Sequence, residues 1–168
     1  GAGAGIQVRR AAYGEILDQG PIEARVYYEP YGVVAAILPF NWPPIHFSQK
    51  CAPAIAVGNT VVIKPGEQAP LTILRLVEIA NEVLPPGVIN AVSGLAAGPA
   101  LASHPRVERI TFTGATATGQ KVMASAAQNL AFTTLELGGK NALIVLDDAD
   151  LPAAVAVAIE GMFYNQGE

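Results

Sequence analysis

The stretch Val33-Val34-Ala35-Ala36-Ile37-Leu38, followed by Pro43-Pro44 and then by Thr60-Val61-Val62-Ile63, decides the fold. The first run is short and apolar, as is typical of a strand that is buried on both faces of a sheet. The two prolines suit the first turn of a helix, which we expect to run to about Val57. Residues 60–63 are β-branched, so a second strand is expected there. Such a strand–helix–strand unit predicts two parallel strands joined by a right-handed crossover.

The same alternation of apolar runs and helical patterns continues along the chain. Apolar residues at near-helical spacing from Leu71 onward stop before Pro85-Pro86-Gly87, which predicts a helix. Asp150, followed by Pro152, is typical of the start of a last helix that runs to about Tyr164. We therefore expect an α/β fold with an open, mostly parallel sheet and helices on both faces. Further strands are predicted over residues 22–28, 88–92, 109–112, 133–137 and 142–146, and helices over residues 70–84, 98–103 and 114–125.

The composition limits the class of protein. The chain has 168 residues, 51% of them hydrophobic, and a net charge of −4 from 10 Lys and Arg against 14 Asp and Glu. Since no basic cluster exceeds the pair Arg9-Arg10, we expect no nucleic-acid surface. The apolar runs are short and broken by Pro or Gly, so we expect no membrane span. A single cysteine, Cys51, allows no internal disulfide framework and fits a reducing cytoplasm.

The strand ends carry the residues of chemical interest, because ligands in parallel sheets bind beyond the carboxyl ends of the strands. Glu136 lies between two leucines and is followed by two glycines, which makes it a candidate general base with a tunable pKa. The alternative is a solvated carboxylate at the end of a strand. The four strand-end segments are Pro39-Phe40-Asn41-Trp42-Pro43, Lys64-Pro65-Gly66-Glu67, residues 112–119 and Glu136-Leu137-Gly138-Gly139.

Each of the other three segments also has two interpretations. Asn41 lies in a loop stiffened by prolines, where its amide can stabilise an oxyanion or can cap the following helix. Lys64 and Glu67 can bind a ribose diol or can form a solvated surface pair. Gly114 and Gly119 enclose four residues between a strand and a helix. Such a turn can present N–H groups to a phosphate, or can need glycine only for its backbone.

Taken together and in this order, these segments resemble the aldehyde dehydrogenase superfamily. The residues that carry the resemblance are 39–43, 53–64, 112–119, 135–141 and 165–168. The resemblance implies a Rossmann-like cofactor-binding domain, incomplete in this chain, over residues 31–168. Residues 1–30 would form the end of an N-terminal segment and an oligomerisation strand. The substrate domain would lie outside the chain, with the catalytic cysteine two residues after Glu168.

The resemblance also implies a reaction and roles for single residues. An aldehyde would be oxidised to a carboxylic acid through a thiohemiacetal and a thioester, with NAD as cofactor. Asn41 would donate its amide to the oxyanion, Glu136 would activate the hydrolytic water, and Lys50 would help to relay its proton. Lys64 and Glu67 would hold the adenine ribose. The remaining cofactor contacts would be Ile37, Thr113, Gly114, Ala115, Thr118, Leu137 and Gly138.

Two residues narrow this expectation. A Glu67 carboxylate that accepts from the ribose 2′-hydroxyl would repel a 2′-phosphate, so NAD is expected rather than NADP. Glu136 favours hydrolysis to a free acid over transfer of the acyl group to coenzyme A. Ala115 replaces the serine usual in the family, which weakens cofactor binding by one hydroxyl contact. Gln49 stands where many members have an aromatic residue and does not identify the aldehyde.

Further expectations concern partners and rival functions. We expect a small aldehyde as substrate, a homodimer or homotetramer for the whole protein, and no metal. A nucleotide-binding module without catalysis is the alternative function. A thiol hydrolase that uses Cys51 is a weaker option, because a lone cysteine in an apolar run is typical of a buried small hydrophobe. His46 is out of line with Cys51 on a helix, and His104 is expected in a surface loop.

Overall fold

A computed structural model describes residues 15–19 and 22–167 of the chain. Residues 1–14, 20 and 21 of the expected N-terminal segment, and Glu168, lie outside the described residues. The helices are α1 (Pro43–Ala56), α2 (Pro70–Asn81), α3 (Ala97–Ala102), α4 (Thr116–Ala127) and α5 (Leu151–Phe163). The strands are β1 (Glu15–Gln19), β2 (Ile22–Val26), β3 (Val33–Ile37), β4 (Thr60–Lys64), β5 (Ile89–Ala91), β6 (Arg109–Gly114) and β7 (Phe132–Leu137).

The chain forms two compact units, one up to Gly138 and one from Gly139 onward. In the first unit, β1 and β2 form an antiparallel pair, and the other five strands form a parallel sheet in the order β5-β4-β3-β6-β7. The second unit contains α5, whose Asp150 side chain accepts a hydrogen bond from the Ala153 N–H at 3.2 Å, as predicted for its cap. The predicted parallel α/β sheet with helices on both faces is confirmed.

β3 is the central strand, and it is buried on both faces. Val34 and Ala36 join a core cluster with residues of α1, α2, β4 and β5. Ala35 and Ile37 face the other way and join a second cluster with residues of α3, α4 and β6. Each fully buried branched side chain stabilises the fold by roughly 1.5–3 kcal/mol. The continuous apolar run at residues 33–38 therefore reflects two layers of helices, as its sequence predicts.

β6 and β7 pack against the second core cluster from one face only. Ile110 and Phe112 join the second cluster, so Arg109 and Thr111 project from the opposite face of β6. Thr134 is the register partner of Thr111, and Glu136 follows it two residues later on the same face of β7. We call Arg109, Thr111, Thr134 and Glu136 the polar strand face. It lies on the same side of the sheet as α1, because Ala36 and Thr111 are register partners.

The sequence prediction is wrong at one element and inexact at others. Residues 142–146 were predicted as a strand but have no regular secondary structure. They lie in the second unit, where the described residues include no strand that could pair with them. A short apolar run predicts burial, but a strand also needs a neighbour to receive its hydrogen bonds. The strand predicted over residues 22–28 ends at Val26, and the helix predicted over residues 70–84 ends at Asn81.

The described part of the chain has neither a membrane-spanning helix nor a cluster of metal-binding side chains. Within residues 15–19 and 22–167, none of the helices has both the length and the apolar character to cross a membrane. Across the same ranges, no group of three or more His, Cys, Asp and Glu side chains could hold a metal ion.

Candidate functional site

A cleft opens at the carboxyl ends of β3 and β6, with a volume of about 690 Å³. β3 and β6 are adjacent in the sheet although they are not consecutive, so the strand order reverses between them. Such a switch point is where an open α/β sheet leaves room for a ligand. Seven of the predicted cofactor residues line the cleft, namely Ile37, Lys64, Glu67, Thr113, Gly114, Ala115 and Thr118. Leu137 and Gly138 lie outside its lining.

Lys64 and Glu67 form an ion pair at one side of the cleft. The Lys64 side chain is only 6% exposed, whereas that of Glu67 is 37% exposed. The hydrogen bond from Lys64 is the main cause that lowers the pKa of Glu67, so Glu67 is ionised at neutral pH. The ammonium of the pair is thus buried, while its carboxylate remains exposed to solvent. The pair presents one fixed acceptor and one fixed donor to the cleft.

Gly66 allows the loops after β3 and β4 to approach each other closely. A Cβ atom at Gly66 would lie 2.8 Å from the backbone nitrogen of Phe40 and 2.9 Å from the carbonyl carbon of Pro39. Real Cβ atoms are not found at such distances from backbone atoms, so a side chain at this position would force the loops apart. Glycine here keeps the Lys64–Glu67 pair beside the loop that carries Asn41.

The glycine turn after β6 combines both of its predicted interpretations. A Cβ atom at Gly114 would lie 2.7 Å from the Phe112 ring, and one at Gly119 would lie 2.5 Å from the Leu137 side chain. A side chain at Gly114 would therefore meet the buried Phe112 ring, whereas one at Gly119 would displace only the end of the exposed Leu137 side chain. The turn also places the start of α4 at the cleft, where Ala115 and Gly114 are lining residues and no side chain caps the helix. Its first N–H groups and the positive end of its dipole suit an anion such as a diphosphate.

Lys50 projects from α1 onto the polar strand face. Its Nζ donates to Thr111 Oγ1 at 3.0 Å. Burial lowers the pKa of Lys50, while the negative charge of Glu136 acts against this shift. The structure thus brings Lys50 and Glu136 within electrostatic reach, although they are distant in sequence. Glu136 is exposed, so solvent can reach the carboxylate.

Asn41 is exposed in the loop between β3 and α1. The residue that caps α1 is Trp42, and no side chain makes the capping hydrogen bond. The alternative that Asn41 caps the helix is therefore wrong. Its amide stays available as a donor in a loop fixed by Pro39 and by the contact with Gly66.

Cys51 is a buried small side chain and His104 is exposed, as the sequence predicts. Cys51 is 1% exposed, and burial raises the pKa of its thiol to about 12, so it is not a thiolate at neutral pH. Cys51 therefore lacks the exposure and the lowered thiol pKa that a nucleophilic cysteine needs. Burial and the nearby Lys50 charge lower the pKa of His46, which leaves it neutral at pH 7. His104 is exposed, and its Nδ1 accepts from the Arg106 N–H at 3.2 Å.

The sequence interpretation missed one wall of the cleft. This wall is built from α3 and from the side of α4 that follows Thr118. The lining residues of α4 are three or four positions apart, as expected for one face of a helix. This spacing could have identified them from the sequence, starting from the glycine turn after β6. The missed lining residues are Leu95, Gly98, Pro99, Ala102, Lys121, Val122 and Ser125.

Known proteins share this sequence and this architecture. The sequence model described as "Aldehyde dehydrogenase family" matches residues 4–168. The chain belongs to the aldehyde dehydrogenase family. It is 54% identical over 158 residues to aldehyde dehydrogenase citD of Monascus ruber. The matched region covers 92% of this chain and 31% of the relative. The chain thus spans about a third of the length of the relatives it matches.

Two solved structures of this kind differ in their cofactor. The betaine aldehyde dehydrogenase of Staphylococcus aureus in complex with NAD+ is 40% identical, with a TM-score of 0.88 over 94% of this chain and 33% of that one. An NADP-dependent enzyme of E. coli is 38% identical, with a TM-score of 0.92 over 97% of this chain and 35% of that one. Membership of the family thus leaves the choice between the two nicotinamide cofactors to the residues of the cleft.

The cleft fits a dinucleotide on its own chemistry. Its walls are largely apolar, with Ile37, Phe112 and Val122 able to receive a base. The Lys64–Glu67 pair offers the donor and acceptor that a ribose diol needs. The uncapped start of α4 offers N–H groups to a diphosphate. The three kinds of surface correspond to the three chemical parts of an adenosine diphosphate.

Proposed function

We propose that the whole protein containing this chain is an NAD-dependent enzyme that oxidises an aldehyde to a carboxylic acid. The observation that carries the proposal is the placement of Lys50 beside Glu136 on the polar strand face, in the same unit as a cleft that fits a dinucleotide. A binding module needs the cleft only. A partly buried lysine on the face that carries an exposed carboxylate is what acid–base chemistry adds.

The functional residues of this chain have separate roles in the proposed oxidation. When bound, the nicotinamide cofactor accepts the hydride. Asn41 donates its amide to the oxygen on which negative charge develops. Glu136 takes a proton from the water that releases the acid, and Lys50 helps to relay that proton. The nucleophile would be a cysteine thiolate outside this chain, since Cys51 is buried and protonated.

Glu67 supports NAD as the preferred cofactor. Lys64 keeps it ionised, so it accepts from a 2′-hydroxyl and repels the charge of a 2′-phosphate. Lys64 favours the opposite choice as a cation, but its charge is already paired with Glu67. We therefore expect NAD to bind more tightly than NADP.

An aldehyde panel on the full-length protein tests the activity and the cofactor together. We expect NADH formation with at least one aldehyde, weaker activity with NADP, and a loss of roughly 100-fold or more in Glu136→Gln. Glu82→Gln, an exposed carboxylate at the end of α2, is the matched control and should keep full activity. Binding of NAD without oxidation of any aldehyde would indicate the module instead. Equal affinities for NAD and NADP would overturn the role of Glu67.

We also propose that the whole protein is a homodimer or homotetramer. The β1–β2 hairpin pairs separately from the five-stranded sheet, and Tyr27, just after β2, is 71% exposed. A hairpin with a free edge can pair with a second subunit. Light scattering on the full-length protein should give the mass of two or four subunits, and a monomer would contradict this proposal.

A further inference from the structure

Thr111 makes a contact that the proposed chemistry does not yet use. It lies on β6, within the polar strand face, and its Oγ1 accepts a hydrogen bond from Lys50 Nζ at 3.0 Å. The two residues are 61 positions apart in the sequence, so only the fold brings them together. Both line a pocket of about 330 Å³ on the α1 side of the sheet. A hydroxyl there gives the ammonium a fixed acceptor on a rigid strand.

The charged and titratable groups around Lys50 come from three elements. Burial acts against the protonated ammonium of Lys50, and the negative charge of Glu136 on β7 favours it. Cys51 on α1 is a neutral thiol at neutral pH and adds no charge. His46, one turn earlier on α1, is kept neutral by burial and by Lys50 itself. Arg109 on β6 lines the same pocket as a second cation. The surroundings of Lys50 thus include a second cation as well as a carboxylate. Thr111 adds a neutral hydrogen-bond acceptor for the ammonium.

Thr134 provides a natural counterpart to Thr111. The two threonines are register partners on adjacent strands and project from the same face. Thr134 Oγ1 accepts from Arg109 Nη2 at 2.7 Å, and Arg109 also lies over the Tyr31 ring at 5.0 Å. Each threonine thus binds a different cation. This arrangement separates the two cations and leaves Lys50 on the side of Glu136.

We propose that Thr111 is a positioning residue, whose hydroxyl holds the Lys50 side chain as an ammonium beside Glu136. The functional part of this proposal rests on the proposed role of Glu136 as the base. Without the hydroxyl, the ammonium loses an acceptor in a partly buried position. It then gives up its proton at lower pH, and its positive charge is lost from the face that carries Glu136.

Chemical labelling of Lys50 tests this contact without requiring activity. Only the unprotonated amine reacts with acetic anhydride, so the pH dependence of labelling, read by peptide mass spectrometry, follows the ionisation of Lys50. In the full-length protein we expect the labelling curve of Thr111→Val to move to lower pH than that of the wild type. Thr111→Ser should restore the wild-type curve, and Thr134→Val should leave it unchanged.

Aldehyde oxidation provides the functional arm of the same experiment. We expect kcat of Thr111→Val to fall about tenfold, the effect of one lost hydrogen bond, with KM for NAD unchanged. The alkaline limb of its pH profile should move to lower pH, with the Ser variant restoring both. A wild-type protein that oxidises no aldehyde would overturn the proposed function, while the labelling curves would still decide the contact. Identical curves for wild type and Thr111→Val, or an equal shift in Thr134→Val, would overturn the role of Thr111.

Discussion

The α1 side of the sheet consists of two regions that differ in chemistry. Across β3, β4 and β5 it is a dry core in which Val61, Ile63 and Ile89 are fully buried. Across β6 and β7 the same side is the polar strand face. Helix α1 borders both regions, since Cys51 joins the apolar core while its neighbour Lys50 binds Thr111. Two adjacent residues thus serve stability and chemistry separately.

The difference teaches where substitutions should affect stability and where they should affect activity. The dry core tolerates no loss of volume, because its side chains are close-packed and have no solvent to replace them. The polar strand face contributes little to stability, since its hydrogen bonds replace similar bonds to water. Three experiments test this division, in order of decreasing effect.

The largest effect is expected in the dry core. Ile63→Ala should lower the free energy of unfolding by about 3 kcal/mol, because it removes a fully buried side chain and leaves a cavity. Thr134→Ala on the polar strand face should cost about 1 kcal/mol or less. Urea unfolding followed by circular dichroism measures both variants. Equal losses would show that the two regions do not differ as the packing indicates.

A smaller effect is expected at Gly66, where the strand-end loops meet. Gly66→Ala places a Cβ atom against the backbone of Phe40 and should cost about 2 kcal/mol while weakening NAD binding. Gly98→Ala is the control, because this glycine also lines the cleft but has no atom within 4 Å of the added Cβ. It should leave stability unchanged or raise it by up to ~1 kcal/mol. If Gly66→Ala behaves like Gly98→Ala, the close approach of the loops is not needed.

The smallest effect is expected at Cys51 and appears only at alkaline pH. Burial raises the thiol pKa from 9.0 to about 12, so the folded protein keeps this proton over a range in which the unfolded chain loses it. The contribution of Cys51 to stability is complete below pH 9 and declines above it, by about 1 kcal/mol for each pH unit. Comparing urea midpoints of the wild type and Cys51→Ala at about pH 8 and about pH 10 tests this. Parallel pH dependence in the two proteins would contradict it.

The fold could be predicted from the sequence because its signals are local. The buried strand at residues 33–38, the prolines that start α1 and the cap at Asp150 each act through neighbouring residues. Residues 142–146 show the limit of such signals, because hydrophobicity is a property of the run and pairing is a property of its surroundings. The second unit provides no strand partner for them among the described residues.

The site was predictable only in part, for the same reason. The strand ends identified Lys64, Glu67 and the turn after β6, which do meet at the cleft. The burial of Lys64 was not predictable, since Lys64 and Glu67 are three residues apart in a turn that could equally face solvent. The link between Lys50 and Thr111 has no local signature at all. It arises from strand register, which sets two threonines side by side between two cations.

Leu135 and Leu137 project from the face of β7 opposite to Glu136. Leu135 packs against the second core cluster, and the Leu137 side chain lies against the Cα of Gly119 on α4. Since side chains alternate along a strand, Glu136 between these two leucines projects from the other face. A slip of β7 by one residue would turn the carboxylate toward the second core cluster and remove Leu135 from it. The absence of one methyl group at Gly119 thus leaves room for Leu137 on the face of β7 opposite to Glu136.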